Sequence, residues 1–286
     1  MDTFDTLLHA FIRQGLAEDV GEGDHTSLAC ISPTRISRAR LLVKEDGVVS
    51  GVEVARQTFK EIAPAASFEV VIPDGSPVSP GDVVFFVTCP TRSLLMAERL
   101  VLNTMQRMSG ISSLTALFVQ EIEGLPVKIL DTRKTTPGMR FLEKEAVRLG
   151  GGENYRSGLY DRIMIKDNHI DACGGIATAI DRTKEYLART GKNLAITIEV
   201  RNLVELQKVL DRGGIDRIMM DNFEIPILRE AVALVNRQYE TEASGNITLK
   251  NVRAYAETGV DYVSSGALTH SAGSLDLSLK VIHSEG

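Results

Sequence analysis

From about residue 125 onward the chain repeats one pattern: a short β-type run ending in a polar side chain, then a segment with helical spacing. The runs are VKILD (127–131), RIMIK (162–166), AITIE (195–199), RIMMD (217–221), YETEAS (239–244) and DYVSS (261–265). Between them lie RFLEKEAVRL, GIATAIDRTKEYLAR, LVELQKVLDRG, IPILREAVALVNR and LKNVRAYAETG. Strand–helix alternation of this kind builds a parallel sheet. Repeats of roughly 20–35 residues fit βα units closing toward a barrel. A complete barrel has eight strands and only six runs are present, so the expected fold is an incomplete α/β barrel. An open doubly wound sheet is the competing architecture, disfavoured because no GxGxxG or P-loop follows an early strand.

Upstream the pattern is different. A short N-terminal helix is followed by β-rich stretches, LLVKEDGVVSGVEV and IPDGSPVSPGDVVFFV, broken by Asp-Gly and Pro-Gly turn signals. SLLMAERLVLNTMQRMSG then reads as a helix capped by Ser93 and closed by Gly110. The expected organisation is a mixed α/β domain over 1–112 and a barrel over 113–270.

Net charge is −6, which argues against general affinity for nucleic acid or for an anionic membrane. Between Asp131 and Lys166, however, eight Lys/Arg face five Asp/Glu. A basic island in an acidic chain suggests a focused anion site. Within it, Lys144 and Arg148 read as the wet face of a helix. Cys30, Cys89 and Cys173 are scattered and form no CxxC or Cys/His cluster, so neither a disulfide framework nor a zinc site is indicated. A reducing, cytoplasmic setting is expected. The N-terminus is acidic and amphipathic, unlike a secretory signal, and runs such as VVFFV (83–87) are too short to span a bilayer.

Barrel chemistry sits at the C-terminal ends of the strands. Here those ends read Asp131-Thr132-Arg133-Lys134, Lys166-Asp167-Asn168-His169, Glu199, Asp221-Asn222, Ser244-Gly245-Asn246 and Ser264-Ser265-Gly266. Ionic groups gathered at a rim are costly unless paired or liganded. The two late segments, SGN and SSGA, are small, contain glycine and are each expected to precede a helix, the usual barrel phosphate site. Glu199 and Asp221 end neighbouring strands and suit Mg²⁺, which typically takes one or two carboxylates plus phosphates and water; pairing with Lys134 or Lys166 is the compatible alternative. Arg133 offers a planar fork for a carboxylate or phosphate, Lys134 a point charge, and Pro137 and Gly138 fix the turn's path.

The motifs GLAEDVGEGDHTS (15–27), AERLVLNTMQRMSGIS (97–112), DTRKTTPGMRFLEKEAVRLGGGENYRSGLYDRIMIKDNHI (131–170), IEV (198–200), RIMMDNF (217–223), EASGNI (242–247) and DYVSSGALTHSAGSLDLSLK (261–280) resemble those of the quinolinate phosphoribosyltransferase family, in order and over nearly the whole chain. The resemblance implies an incomplete barrel with a mixed N-terminal domain, a C-terminal segment (271–286) packing back on that domain, and a homodimer. It implies transfer of phosphoribose from phosphoribosyl pyrophosphate to quinolinate with decarboxylation, giving nicotinate mononucleotide, pyrophosphate and CO₂, with Mg²⁺. By motif, Arg99, Arg133, Arg156 and Lys166 would hold the quinolinate carboxylates, Arg99 reaching across from a partner subunit. Lys134, Glu199 and Asp221 would serve phosphoribosyl pyrophosphate and its metal. Ser244, Gly245, Ser265 and Gly266 would cradle the 5′-phosphate, with His270 nearby.

Two positions depart from the family pattern. Tyr155 stands in NYR where the family usually has NHR, and tyrosine is not cationic near neutral pH. On that ground Tyr155→His is expected to keep activity and lower the KM for quinolinate. Asn246 replaces a usual glycine, and asparagine tolerates left-handed backbone angles. His9, His25 and His283 read as surface or structural residues, and His169 as structural or hydrogen-bonded to the rim. Three other readings stay open at this level: a Schiff-base lyase using Lys166, a non-catalytic anion-binding protein, and a phosphoribosyltransferase acting on nicotinate itself.

Overall fold

The computed structural model describes residues 3–282; His283 and the last residues of the 271–286 segment lie outside them. In chain order the elements are α1 (Phe4–Val20), α2 (His25–Cys30), β1 (Ile36–Val43), β2 (Gly47–Val48), α3 (Val52–Ile62), β3 (Ser67–Val70), β4 (Pro77–Val78), β5 (Val83–Pro90), α4 (Thr91–Glu121), β6 (Lys128–Leu130) and α5 (Arg140–Leu149). There follow β7 (Ile163–Ile165), α6 (Asp167–Cys173), α7 (Ile176–Thr190), β8 (Ile196–Val200), α8 (Leu203–Arg212), β9 (Arg217–Asp221), α9 (Ile225–Val235), β10 (Glu240–Ser244), α10 (Val252–Ala256), β11 (Tyr262–Ser264), α11 (Ala267–His270) and β12 (Leu277–Ile282). Two compact units result. One is drawn from Met1–Ala116, Thr136–Gly151 and Ser271–Gly286, the other from Leu117–Thr135 and Gly152–His270.

The first unit holds an antiparallel sheet in the order β12-β1-β5-β3. Alternation in β1 sends Ala39, Leu41 and Val43 inward. They join Phe59 of α3, Phe85 and Val87 of β5, and Leu94, Val101 and Met105 of α4 in one core. Asp74 starts α3 by accepting from the N–H groups of Val52 and Glu53 at 2.9 and 3.1 Å.

The α4 helix does not stop at Gly110; it continues to Glu121. The glycine is there for approach, not termination. A Cβ on Gly110 would fall 1.8 Å from the carbonyl oxygen of Gly273, so only glycine lets the C-terminal segment lie against this helix. The α5 helix belongs to the first unit, and Lys144 is only 4% exposed, not on a wet face. Leu142, Glu143, Lys144, Ala146 and Val147 are all buried, a wider arc than one apolar stripe covers. Arg148 is exposed and pairs with Glu145. Glu143, fully buried, accepts from Arg107 at 2.9 Å and from the Thr136 N–H at 3.1 Å.

The second unit is a six-stranded parallel sheet in the order β6-β11-β10-β9-β8-β7. All six strand-like runs form it. β6 and β7 are its two edges and do not pair with each other, which makes the barrel incomplete. One face is apolar: Ile198, Ile218, Ala243 and Val263 are fully buried, and α8 and α9 contact β8 and β10.

Candidate functional site

The other face of this sheet is largely polar, with Met164, Met219 and Leu130 among its polar groups. Met164, Thr197, Arg217 and Glu240 share one row across the register. Glu199, Met219, Glu242, Tyr262 and Lys128 share the next. Asp221 and Ser244 pair above them, as do Ser264 and Leu130. Side chains of one face recur every second residue, so β8, β9 and β10 carry their polar groups in step toward the rim.

On the rim, Lys166 and Glu199 end adjacent strands and bond at 2.8 Å; the carboxylate is 6% exposed. His169 accepts from the Lys166 N–H through Nδ1 at 2.9 Å, fixing the first turn of α6. Asp221 accepts from the Asn222 amide at 2.6 Å, and Asn222 accepts from the Asn246 amide at 3.1 Å. Among the described residues no group of three or more His, Cys, Asp or Glu converges as metal ligands.

Arg133 and Arg156 face each other's charge. Burial first, and then Arg133, hold the Arg156 guanidinium below its ordinary value. Arg156 also bonds the Met164 sulfur at 3.3 Å. Asp131, close to Arg133 in sequence, is fully buried where Arg133 and Arg156 are not, and it accepts from the Tyr155 N–H at 2.8 Å. Two guanidiniums kept together in a half-buried setting favour an anion with two acceptor groups.

The late loops meet Lys134. The Thr269 hydroxyl donates to the Lys134 carbonyl at 2.7 Å. A Cβ on Gly266 would fall 2.7 Å from Lys134 Cδ and 3.0 Å from His270 Nε2. Ser265 donates to the Ile247 carbonyl at 2.6 Å, tying the SSGA loop to the SGN loop. Gly245 takes φ +98°, and Asn246 takes φ +51°, the left-handed conformation expected of it. SGN is not followed directly by a helix: α10 begins only at Val252. The intervening turn forms because Asn251 accepts from the Thr248 N–H at 2.7 Å. SSGA leads into α11, a helix of four residues.

The second unit thus gathers Arg133, Lys134, Tyr155, Arg156, Lys166, Glu199, Asp221, Ser244, Gly245, Ser265, Gly266 and His270. Arg99 belongs to the first unit, exposed on α4, where it lines a groove of about 280 Å³ with Phe11, Asp19 and Arg107.

Beneath the rim lies a layer that strand ends alone did not reveal. Arg217, 4% exposed, bonds Glu240 at 2.8 Å and Glu242 at 3.2 Å, and its guanidinium lies 3.8 Å from the Tyr262 ring centroid. Arg217 and Arg162 also lie over the Tyr155 ring, 5.2 and 5.3 Å from its centroid. Tyr155 donates to the Thr197 hydroxyl at 2.6 Å. Burial raises the Tyr155 phenol above its ordinary value, so it stays neutral. The sequence signal was present in the alternate polar residues of RIMMD, ETEAS and DYVSS.

Sequence profiles of two domains match the chain: "Quinolinate phosphoribosyl transferase, N-terminal domain" over residues 24–109 and "Quinolinate phosphoribosyl transferase, C-terminal domain" over 111–280. The chain is 44% identical to quinolinate phosphoribosyltransferase [decarboxylating] 1 of Nicotiana glauca, over 96% of this chain and 82% of that one. It is 39% identical to the probable nicotinate-nucleotide pyrophosphorylase [carboxylating] of Synechocystis, over 96% and 93%. Its fold superposes on the crystal structure of NadC from Streptococcus pyogenes with a TM-score of 0.92 at 35% identity, covering 99% of this chain and 100% of that one.

Proposed function

The chain belongs to the quinolinate phosphoribosyltransferase family, and from that premise we propose how its rim divides the work. The enzyme is a pentosyltransferase of NAD biosynthesis. It joins quinolinate to the phosphoribose of phosphoribosyl pyrophosphate with decarboxylation, giving nicotinate mononucleotide, pyrophosphate and CO₂.

Arg133, Arg156 and Lys166 take the two carboxylates of quinolinate, and Arg99 joins them from a partner subunit of a homodimer. Tyr155 adds a neutral, polar wall. Lys134 faces the pyrophosphate and lies against Gly266 and His270. Ser244, Gly245, Ser265 and Gly266 cradle the 5′-phosphate, although the Ser265 N–H itself donates to the Leu130 carbonyl at 3.1 Å. The pyridine nitrogen attacks the anomeric carbon as pyrophosphate leaves. Lys134 stabilises the charge that collects on the leaving group, an electrostatic contribution of several kcal/mol when the donor is well placed, ~3 kcal/mol being typical. The adjacent carboxylate then departs as CO₂, its electron pair stays on the ring carbon next to the stabilising pyridinium nitrogen, and a proton from solvent completes that carbon. No side-chain nucleophile is required.

Glu199 and Asp221 suit Mg²⁺ bound jointly with phosphates, because two carboxylates on one face are the usual protein share of such a site. When bound, the ion would supply charge neutralisation at the pyrophosphate. A reducing compartment such as the cytoplasm suits the free Cys30, Cys89 and Cys173.

The observation that carries this division is the pair of like charges at Arg133 and Arg156, both half-buried, a setting that favours a dianion. An imine-forming Lys166 is disfavoured: its side chain is 45% exposed and its ammonium is bonded to Glu199, not enclosed in an apolar setting. The test supplies carboxyl-labelled quinolinate, phosphoribosyl pyrophosphate and Mg²⁺ and follows labelled CO₂ with nicotinate mononucleotide. Equal yields in the wild type, lost in Arg156→Ala with phosphoribosyl pyrophosphate still bound, are expected. Quinolinate bound equally well by Arg156→Ala would remove the arginine pair from the site, and faster turnover of nicotinate would reassign the acceptor.

A further inference from the structure

The barrel is open between β6 and β7, yet the opening is not empty. Residue Glu153 forms an isolated parallel bridge to Leu130 at the β6 edge. Its N–H donates to Ile129 at 2.8 Å, and its carbonyl accepts from the Asp131 N–H at 3.2 Å. One residue is too little for a strand, but it delivers Tyr155 into the polar interior two positions later.

There Tyr155 is fixed at both ends. Its N–H donates to buried Asp131 beside β6, and its hydroxyl donates to buried Thr197 on β8. Its ring meets Arg162, which precedes β7, and Arg217 of β9. One residue therefore reaches β8 and β9 through its side chain, Arg162 just before β7 through its ring, and Asp131 just after β6 through its backbone. Its chain neighbour is Arg156, and Asp131 leads two residues on to Arg133.

Arg133 and Arg156 repel, so something must hold them at a working separation before substrate arrives. We propose that Tyr155 is a positioning residue: a strut across the open barrel, locked by its hydrogen bond to Thr197, that sets Arg156 against Arg133 for a planar dicarboxylate. Glu153 and β6 support one end of the strut, and β8 the other. The inference rests on the assignment of the arginine pair to quinolinate.

The strut makes a kinetic signature that simple packing does not. Tyr155→Phe and Thr197→Val delete the same bond from opposite ends. Each is expected to raise the KM for quinolinate about fivefold, the worth of one net hydrogen bond. The KM for phosphoribosyl pyrophosphate and kcat should hold. The double variant should be no worse than either single one, because the two changes share one interaction. Thr197→Ser should restore the wild-type value. Val209→Ala, in the buried face of α8, serves as a destabilised control that lowers the Tm without moving this KM.

Unchanged KM for quinolinate in Tyr155→Phe, or effects of the two variants that multiply, would overturn the strut while leaving the site intact. A wild type that turns over no quinolinate would instead overturn the site assignment, and the strut's purpose with it.

Discussion

Lys166 and Glu199 meet at 2.8 Å across the ends of two neighbouring strands, a half-exposed ammonium closing over a buried carboxylate. Each group holds the other's charge in the absence of substrate, so the rim is preorganised and the carboxylate is not left unpaired. Substrate and metal would have to draw this pair apart or share it.

The pair can be dissected because its two members serve different partners. Glu199→Gln retains an acceptor for Lys166 and should fold normally, yet lower kcat/KM by about a hundredfold if the carboxylate serves the metal and pyrophosphate. Its Mg²⁺ requirement should shift to higher concentration. Lys166→Met should instead act mainly on the KM for quinolinate. Steady-state kinetics with Mg²⁺ titrations of both variants check this.

Two glycines of the late loops should fail in different ways. Gly245→Ala places a Cβ 2.4 Å from the Asn222 side chain and 2.7 Å from its backbone nitrogen, at φ +98°. Backbone cannot give way, so a loss of about 2 kcal/mol or more and a lower Tm are expected. At Gly266 the new Cβ meets only the ends of Lys134 and His270, both exposed. Gly266→Ala should melt near the wild type but raise the KM for phosphoribosyl pyrophosphate by displacing Lys134. Thermal melts beside kinetics separate the two.

Most of the second unit was legible because period-2 runs alternate with period-3.6 segments, and each of the six runs became a strand. The rim was legible because barrel strands end at the site, which identified Lys166, Glu199, Asp221 and the two small-residue loops. Gly110 misled, because a glycine chosen for close approach looks the same in sequence as one that ends a helix. Lys144 misled because its burial is decided by packing within the first unit, which spacing along α5 does not contain. Arg217 and Glu242, the charged layer against Tyr155, were missed because buried charge violates the usual inside–outside rule, although their alternation was on the page.

That layer reverses one expectation at Tyr155. Histidine there was expected to add a cation and tighten quinolinate. With Arg162 and Arg217 both about 5 Å from the ring, a protonated imidazole would be a third positive charge in one half-buried space. Tyr155→His should therefore raise the KM for quinolinate, and protonation at acidic pH should worsen it. The KM of this variant measured from pH 6 to 8 provides the check.

Glu242 should leave a mark on stability. Burial pushes its carboxyl above its ordinary value of 4.5, against the opposing pull of Arg217 and Arg162. Such a group binds a proton in the folded state that the unfolded chain releases. Its stabilising contribution is whole below the ordinary value and is lost as pH rises through the folded one. Glu242→Gln removes that titration. The Tm difference between variant and wild type should change with pH across this window and level off on either side, which melts over a pH series would reveal.

The first unit's sheet also has a history. β12 covers the outer edge of β1, paired from Val43↔Leu277 to Arg38↔Ile282. During synthesis β1 emerges long before its cover, β12. For most of translation the Ile36–Val43 edge offers bare N–H and C=O groups, which is how strands recruit one another between chains. A nascent or nicked chain lacking 277–282 would keep the rim chemistry on a different stretch of sequence, yet be poised to aggregate. For this enzyme, protection of the β1 edge waits on the arrival of β12.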